Sequence, residues 1–216
     1  MSTQNTLNSV FKLKIVRNFL KRKQIPDSFI DHKNSTYIFT RKDGGMNEIK
    51  ADDLKLKITD LWSRQWLVLT AGTMQDFNSM TIGWGSVGVM WGKPFVQVVV
   101  RPGRYTFEFM EKYPTFTVCA FPEHYRDAVK LLGTQSGRNS DKIEDSGLTI
   151  LKSNSIDAPA YEEAELILEC RKMYWQDMEP GHFLDNELDN NYPKKDYHRI
   201  YFGEIVNIRG ESSFSD

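Results

Sequence analysis

The chain has 216 residues, 40% hydrophobic and 26% charged, with a formal net charge of −1. That suits one generous domain, with or without an appendage, of ordinary water-compatible composition. The near-zero charge argues against a dedicated nucleic-acid binder, which carries a basic excess, and no apolar run approaches the roughly 18–20 residues of a membrane-crossing helix.

Residues 1–26 stand apart. Lys12, Lys14, Arg17, Lys21, Arg22 and Lys23 fall there without a single acid, so the remaining chain is acidic. Val10, Leu13, Phe19 and Leu20 interleave with the cations at a spacing compatible with a helix. The segment reads as a basic N-terminal extension; an interfacial or partner-binding helix and an acid-poor targeting segment are the alternatives. Residues 27–60 form an accessory β-like segment, in which Tyr37-Ile38-Phe39-Thr40 precedes the turn signal Asp43-Gly44-Gly45. Cys119 and Cys170 are the only cysteines and lie far apart, which is no disulfide framework. No secretory signal is visible, so a reducing cytoplasm is expected.

Residues 61–216 carry the main domain. Trp66 to Ala71 is an apolar strand ended by Gly72. Thr81 to Met90 reads as a glycine-rich strand, Gly92-Lys93-Pro94 as a turn, and Phe95 to Val100 as a β-branched strand. A helix over Tyr105–Lys112 follows Pro102-Gly103. Thr115 to Phe121 is another strand. A second helix runs from Glu123 after Pro122 to Leu132, with Gly133 as its stop. Leu166, Leu168 and Cys170 alternate with Ile167, Glu169 and Arg171 in a strand, and Tyr201 to Ile208 is the last. Many strands and few short helices predict a mainly β protein, a β-barrel with appended helices rather than a doubly wound sheet.

One motif misleads. Gly83-Trp84-Gly85-Ser86-Val87-Gly88 matches the dinucleotide-binding string G-x-G-x-x-G. That motif needs a helix starting at the glycines, and only Val89-Met90-Trp91 precede the next turn. The glycines are expected instead to permit a bulge or a close approach to a flat ligand.

Three segments combine backbone access, hydroxyls and positive charge. Asn78, Ser79, Met80, Thr81 and Gly83 offer main-chain donors, polar side chains and a polarizable thioether to a planar ring. Arg101 ends a strand, and Arg104, Tyr105 and Thr106 open the following helix, whose free amides suit a phosphate. Ser136-Gly137-Arg138 with Lys142 adds a flexible turn, a hydroxyl and two cations. His198, after Asp196-Tyr197, is a candidate for tuning a ligand or for a structural hydrogen bond. His32, His124 and His182 have no metal-like spacing, and Asp185 to Asn191 lacks the glycine of an EF-hand loop, so no metal is expected. No nucleophile elbow is present.

In this order and spacing, with Gln65-Trp66-Leu67-Val68-Leu69-Thr70-Ala71-Gly72 before them and Asn191-Tyr192-Pro193-Lys194-Lys195-Asp196-Tyr197-His198 after them, these segments resemble the flavin reductase-like, flavoredoxin-type family from about Leu61 to about Arg209. The resemblance implies an FMN-binding split β-barrel of Greek-key type and a homodimer with FMN near the interface, for which Trp84 and Trp91 are candidate contacts. It implies an oxidoreductase that takes hydride from NAD(P)H onto FMN and passes electrons to a small-molecule or protein acceptor. The same residues would serve an FMN-binding electron carrier without nicotinamide activity, and a split-barrel protein holding another phosphorylated or haem ligand is the third reading.

Overall fold

The structure is a computed structural model that describes residues 45–215. The basic extension 1–26 and the start of the accessory segment, 27–44, lie outside the described residues. In chain order the elements are β1 (Asn47–Glu48), β2 (Leu67–Thr73), β3 (Asp76–Ile82), β4 (Gly85–Met90), β5 (Lys93–Val100), α1 (Tyr105–Lys112), β6 (Thr115–Ala120), α2 (Arg126–Thr134), α3 (Lys142–Ser146), β7 (Ile150–Leu151), β8 (Ala160–Tyr161), β9 (Leu166–Asp177) and β10 (Arg199–Gly210). The main sheet runs β3-β2-β6-β9-β10-β5-β4, with β1 added along β10. Every neighbouring pair in it is antiparallel. Among the described residues no helix is long and apolar enough to cross a membrane, which says nothing of strands.

This order decides the shape. β3 and β4 occupy the two open edges of the sheet, yet only Gly83 and Trp84 separate them in the chain. A two-residue link spans at most about 10 Å, so the sheet curls until its edges nearly meet. The result is a barrel with a seam between β3 and β4, the split barrel expected of the sequence.

The strands β2, β6 and β9 bury both faces. On β2, Leu67, Leu69 and Ala71 enter one core while Val68 enters another. On β6, Phe116, Val118 and Ala120 oppose Cys119, and on β9, Leu166, Leu168 and Cys170 oppose Ile167. The first core fills the barrel and the second lies under α2 and the 148–164 segment. Period-two alternation thus sorts side chains between two apolar cores, and each buried large side chain is worth about 1.5–3 kcal/mol.

Three local departures from the sequence reading matter. The strand expected over Thr81–Met90 is interrupted at Gly83 and Trp84, because Thr81 pairs with β2 whereas Gly85 pairs with β5. The helix expected from Glu123 begins as a 3₁₀ turn, Glu123–Tyr125, and runs past Gly133 to Thr134. Gly133 is a contact glycine here, since a Cβ on it would lie 2.9 Å from the Thr81 Cβ. Finally, the strand expected from Trp66 starts at Leu67. A helical turn, Ile58–Asp60, passes into a π-helical turn, Leu61–Gln65, and Trp66 follows at φ 60°, ψ 154°. For a bulky residue that backbone costs about 1–3 kcal/mol.

Candidate functional site

A cavity of about 170 Å³ opens at the seam. Met80, Gly83 and Trp84 line it from β3 and the link after it, Arg101 and Arg104 from the segment after β5, and His198 from the residue before β10. β3 pairs only with β2, and β4 only with β5, among the described residues. Each edge therefore keeps a row of main-chain N–H and C=O groups without a strand partner. Side chains on β3 are fixed from both sides. Asn78 Nδ2 donates to Thr106 Oγ1 at 2.6 Å, while the Thr81 hydroxyl donates to the Val129 carbonyl on α2. Between them, Ser79 Oγ accepts from Tyr161 OH at 2.6 Å and shares a 2.8 Å bond with Thr70 Oγ1.

A second, larger cleft of about 690 Å³ lies on the other side of the α1 N-terminus. Phe77, Asn78, Tyr105, Gly137, Arg138 and Lys142 contribute to its lining. The adjacent residues Arg104 and Tyr105 line one cavity each, so the two are neighbours across one strand–helix junction. Two arginines clasp that junction. Arg104 Nη1 donates to the Gly133 carbonyl at 2.9 Å, and Arg138 Nη1 donates back to the Gly103 carbonyl at 3.2 Å. Arg138 also pairs with Glu108 and stacks 4.9 Å above the Tyr105 ring. No side chain caps the first amides of α1, which begins behind Arg104.

Lys142 is the buried cation of the cleft, only 3% exposed. Its ammonium donates to the Leu132 carbonyl at 3.0 Å and the Gln135 carbonyl at 3.3 Å, the negative end of α2. Among the described residues no carboxylate pairs with it within the salt-bridge distance. Burial, and then the nearby Arg104 charge, pull its pKa down to about 8.

Arg101 faces the seam cavity but is held by the segment between β9 and β10. Its Nη1 meets Asp196 Oδ1 at 3.0 Å, its Nη2 donates to the Asn191 carbonyl at 2.9 Å, and it lies 5.0 Å from the Tyr192 ring centroid. His198 shares a 2.8 Å hydrogen bond with Tyr192 OH through Nδ1, and its ring lies 5.2 Å from that of Trp84. Burial and repulsion from Arg101 lower its pKa to about 4 despite Asp196 nearby. It is a neutral imidazole at physiological pH, able to give or take one hydrogen bond.

Of the residues singled out in the sequence, Met80, Thr81, Gly83, Arg101, Arg104 and His198 meet at the seam cavity, and Asn78, Tyr105, Arg138 and Lys142 meet at the cleft. Ser79 and Thr106 are 0% and 1% exposed and spend their hydroxyls on Tyr161, Thr70 and Asn78. Ser136 Oγ accepts from the Arg138 amide at 3.3 Å. Trp84 and Val99 belong to the cavity wall and were not picked out for it. Their signal is their place in the link and near the end of a β-branched run.

The glycine string also finds its explanation. A Cβ on Gly85 would fall 2.4 Å from both the Gln97 carbonyl oxygen and the Trp62 ring. That close approach is to the protein's own strand and indole, at a strand start where no helix follows.

This geometry suits FMN: edge-strand backbone, Met80, Trp84 and Val99 offer a planar ring apolar walls and main-chain partners, and Arg104, Arg138 and Lys142 offer an anionic tail its counter-charge.

Similarity to other proteins agrees with the fold. An uncharacterized protein of Archaeoglobus fulgidus is 25% identical over 153 residues, covering 71% of this chain and 75% of that one. The FMN-binding domain of a flavin reductases-like enzyme from Shewanella baltica superposes with a TM-score of 0.58 at 17% identity, covering 79% of each chain. The flavoredoxin of Desulfovibrio vulgaris gives 0.55 at 18% identity, covering 75% of this chain and 80% of its own. The profile of the flavin reductase like domain matches residues 61–215, which takes in the seam, the clasp and His198 together. By that match the chain belongs to the flavin reductase-like family.

Proposed function

We propose that this protein is an FMN-dependent oxidoreductase that accepts electrons from NAD(P)H and hands them to a small-molecule or protein acceptor. The observation that carries this reading is the seam: beside the unpaired β3 edge and the Gly83–Trp84 link lies a slot walled by Met80, Trp84, Val99, Arg101 and Arg104, and a cleft holding Arg138 and Lys142 adjoins it across the α1 N-terminus. FMN, when bound, supplies the redox chemistry.

The chain's own residues then have binding and shielding roles. Main-chain groups of Met80 to Gly83 on the β3 edge hold the polar edge of the ring. Met80, Trp84 and Val99 exclude water from its faces. Arg104, Arg138 and Lys142 neutralise the phosphate, and Arg101 keeps N–H donors for the ligand beyond the two given to Asp196 and Asn191. His198, neutral, offers one hydrogen bond to the ring or to the second substrate without adding charge. Preorganised dipoles of this kind stabilise developing negative charge without a dedicated acid or base.

A homodimer follows from the same reading. Val89, Trp91 and Trp84 are 75%, 61% and 49% exposed on and beside β4, next to the seam. A symmetric partner would cover them. Cys119 and Cys170 are buried free thiols in different cores, in keeping with a reducing cytoplasm.

The test is anaerobic mixing of FMN-loaded protein with NADH and then NADPH, followed by visible absorbance. Bleaching on a catalytic timescale supports the reductase. Bound FMN that stays oxidised with both nucleotides makes the protein an electron carrier fed by another protein. Failure to take up FMN overturns the site.

A further inference from the structure

Trp66 has a backbone that a bulky residue rarely adopts, at the entrance to a buried strand. The other non-glycine residues with positive φ, Trp91 and Lys195, occupy exposed loop positions. Such a conformation persists where its surroundings over-determine it. Here they do so twice over. The π-helical turn Leu61–Gln65 delivers the chain to Trp66, and turns of that kind cluster at functional sites. Arg126, at the start of α2, donates to the carbonyls of Arg64 and Gln65 and places its guanidinium 3.8 Å from the Trp66 ring. Gln65 Nε2 adds a 2.9 Å bond to the Phe121 carbonyl. Turn and ring are clamped together.

The clamped ring packs on the second core and lies against Gly83. A Cβ on Gly83 would lie 3.4 Å from Trp66 Cδ1, 3.8 Å from Nε1 and 3.4 Å from the Trp62 carbonyl oxygen. Gly83 and Trp84 are the link between the two sheet edges and line the seam cavity. An unstrained strand entry at position 66 would send the ring elsewhere and leave this link without its backing. We infer that Trp66 is a positioning residue: its indole, held by Arg126, backs the Gly83–Trp84 link and thereby sets the shape of the ring slot. This rests on the flavin reading of the slot.

Two substitutions test the ring's role. Trp66→Gly relaxes the backbone and removes the indole; Trp66→Phe keeps an aromatic ring in the clamp. FMN affinity and the visible bands of the bound flavin are read beside the melting temperature of each FMN-free protein. We expect W66F within about threefold of wild type, and W66G weaker by about tenfold or more, with displaced flavin bands. The affinity loss should not track the melting temperature. W66G with wild-type affinity and bands overturns the inference, as do equal losses in both variants. If W66G does not fold, Arg126→Met takes its place: freeing the indole should displace the flavin bands, and unchanged bands overturn the inference. Wild-type protein run alongside keeps the two readings apart. Wild type that takes up no FMN sinks the flavin reading and this one with it, whereas wild-type uptake beside an unaffected W66G sinks this one alone.

Discussion

Asn78 and Thr106 are joined by one enclosed hydrogen bond, Nδ2 to Oγ1 at 2.6 Å, across 28 positions of sequence. They are 3% and 1% exposed. The bond ties an edge strand of the seam to the first turn of α1, where the seam cavity and the cleft adjoin. Thr106→Val keeps the shape and takes away one acceptor, leaving Asn78 Nδ2 only its 3.3 Å bond to the Ser79 carbonyl. Unfolding in urea should then require about 1–3 kcal/mol less free energy, with Thr106→Ser close to wild type. A valine variant as stable as wild type would mean that water or a rotated Asn78 replaces the bond.

Asp196 neutralises Arg101, which lines the slot together with Arg104. Both side chains are about 30% exposed, 28% and 31%, so the pair itself contributes no more than about 1 kcal/mol. Asp196→Asn should leave stability nearly unchanged and release a guanidinium toward anions. FMN should bind a few-fold tighter while riboflavin, lacking the phosphate, binds as before; about 1 kcal/mol corresponds to roughly fivefold. Titration of both flavins checks this. Equal gains for the two would place the effect on the ring and not on charge.

Trp91 stands 61% exposed at the tip of the β4–β5 hairpin, beside Val89. Its ring contacts Tyr174 and Phe202 at centroid distances of 6.0 and 6.2 Å. A glutamate there leaves the monomer's cores untouched but puts a charge in any symmetric contact. Sedimentation should find wild type dimeric and Trp91→Glu shifted toward monomer. A wild type that is monomeric at micromolar concentration rejects the proposed interface.

The barrel was legible because its strands obey period two and its turns carry glycine and proline. The strand read over Phe95–Val100 lies within Lys93–Val100, with Lys93 and Pro94 in strand and not turn, and the one read over Thr115–Phe121 runs a single residue past Thr115–Ala120. The seam was not legible, since Ile82 and Gly85 look like one strand until their different partners are known. Lys142 and Arg138 stand out by composition, but the carbonyls that hold them, those of Leu132 and Gln135 at the end of α2 and that of Gly103, are backbone groups that no side-chain pattern announces. Trp66 was hidden for a similar reason. Strain is a property of φ and ψ, and Trp66-Leu67-Val68-Leu69 reads as plain strand.

Lys142 makes flavin affinity depend on pH. Its pKa falls from 10.5 to about 8 in the FMN-free protein, and a phosphate beside it would restore the charged form. FMN therefore favours protonated Lys142, so affinity should be flat between about pH 7, where the phosphate is nearly fully charged, and about pH 8, and decline above it by up to about tenfold per pH unit. Lys142→Gln should lower affinity at pH 7 and remove most of this decline. A wild-type affinity that stays constant to pH 9.5 would exclude the ammonium from the phosphate site.

His198 makes stability depend on pH in the opposite range. Burial first, and then Arg101, lower its pKa from 6.5 to about 4. Above about pH 6.5 both folded and unfolded chains hold a neutral ring, and the group is silent. As pH falls through that value the unfolded chain binds a proton that the folded protein refuses, so stability is lost until about pH 4 is passed. Between pH 8 and pH 5 the loss from this group should be about 1–2 kcal/mol, some of the full shift being spent on residual water access. His198→Gln keeps one hydrogen bond to Tyr192 OH without a titrating ring, so its urea midpoints should fall less over that pH interval than those of wild type. Parallel curves for the two proteins would mean that the ring is protonated inside the fold, with Asp196 as its partner, and that the neutral imidazole assigned to the slot is wrong.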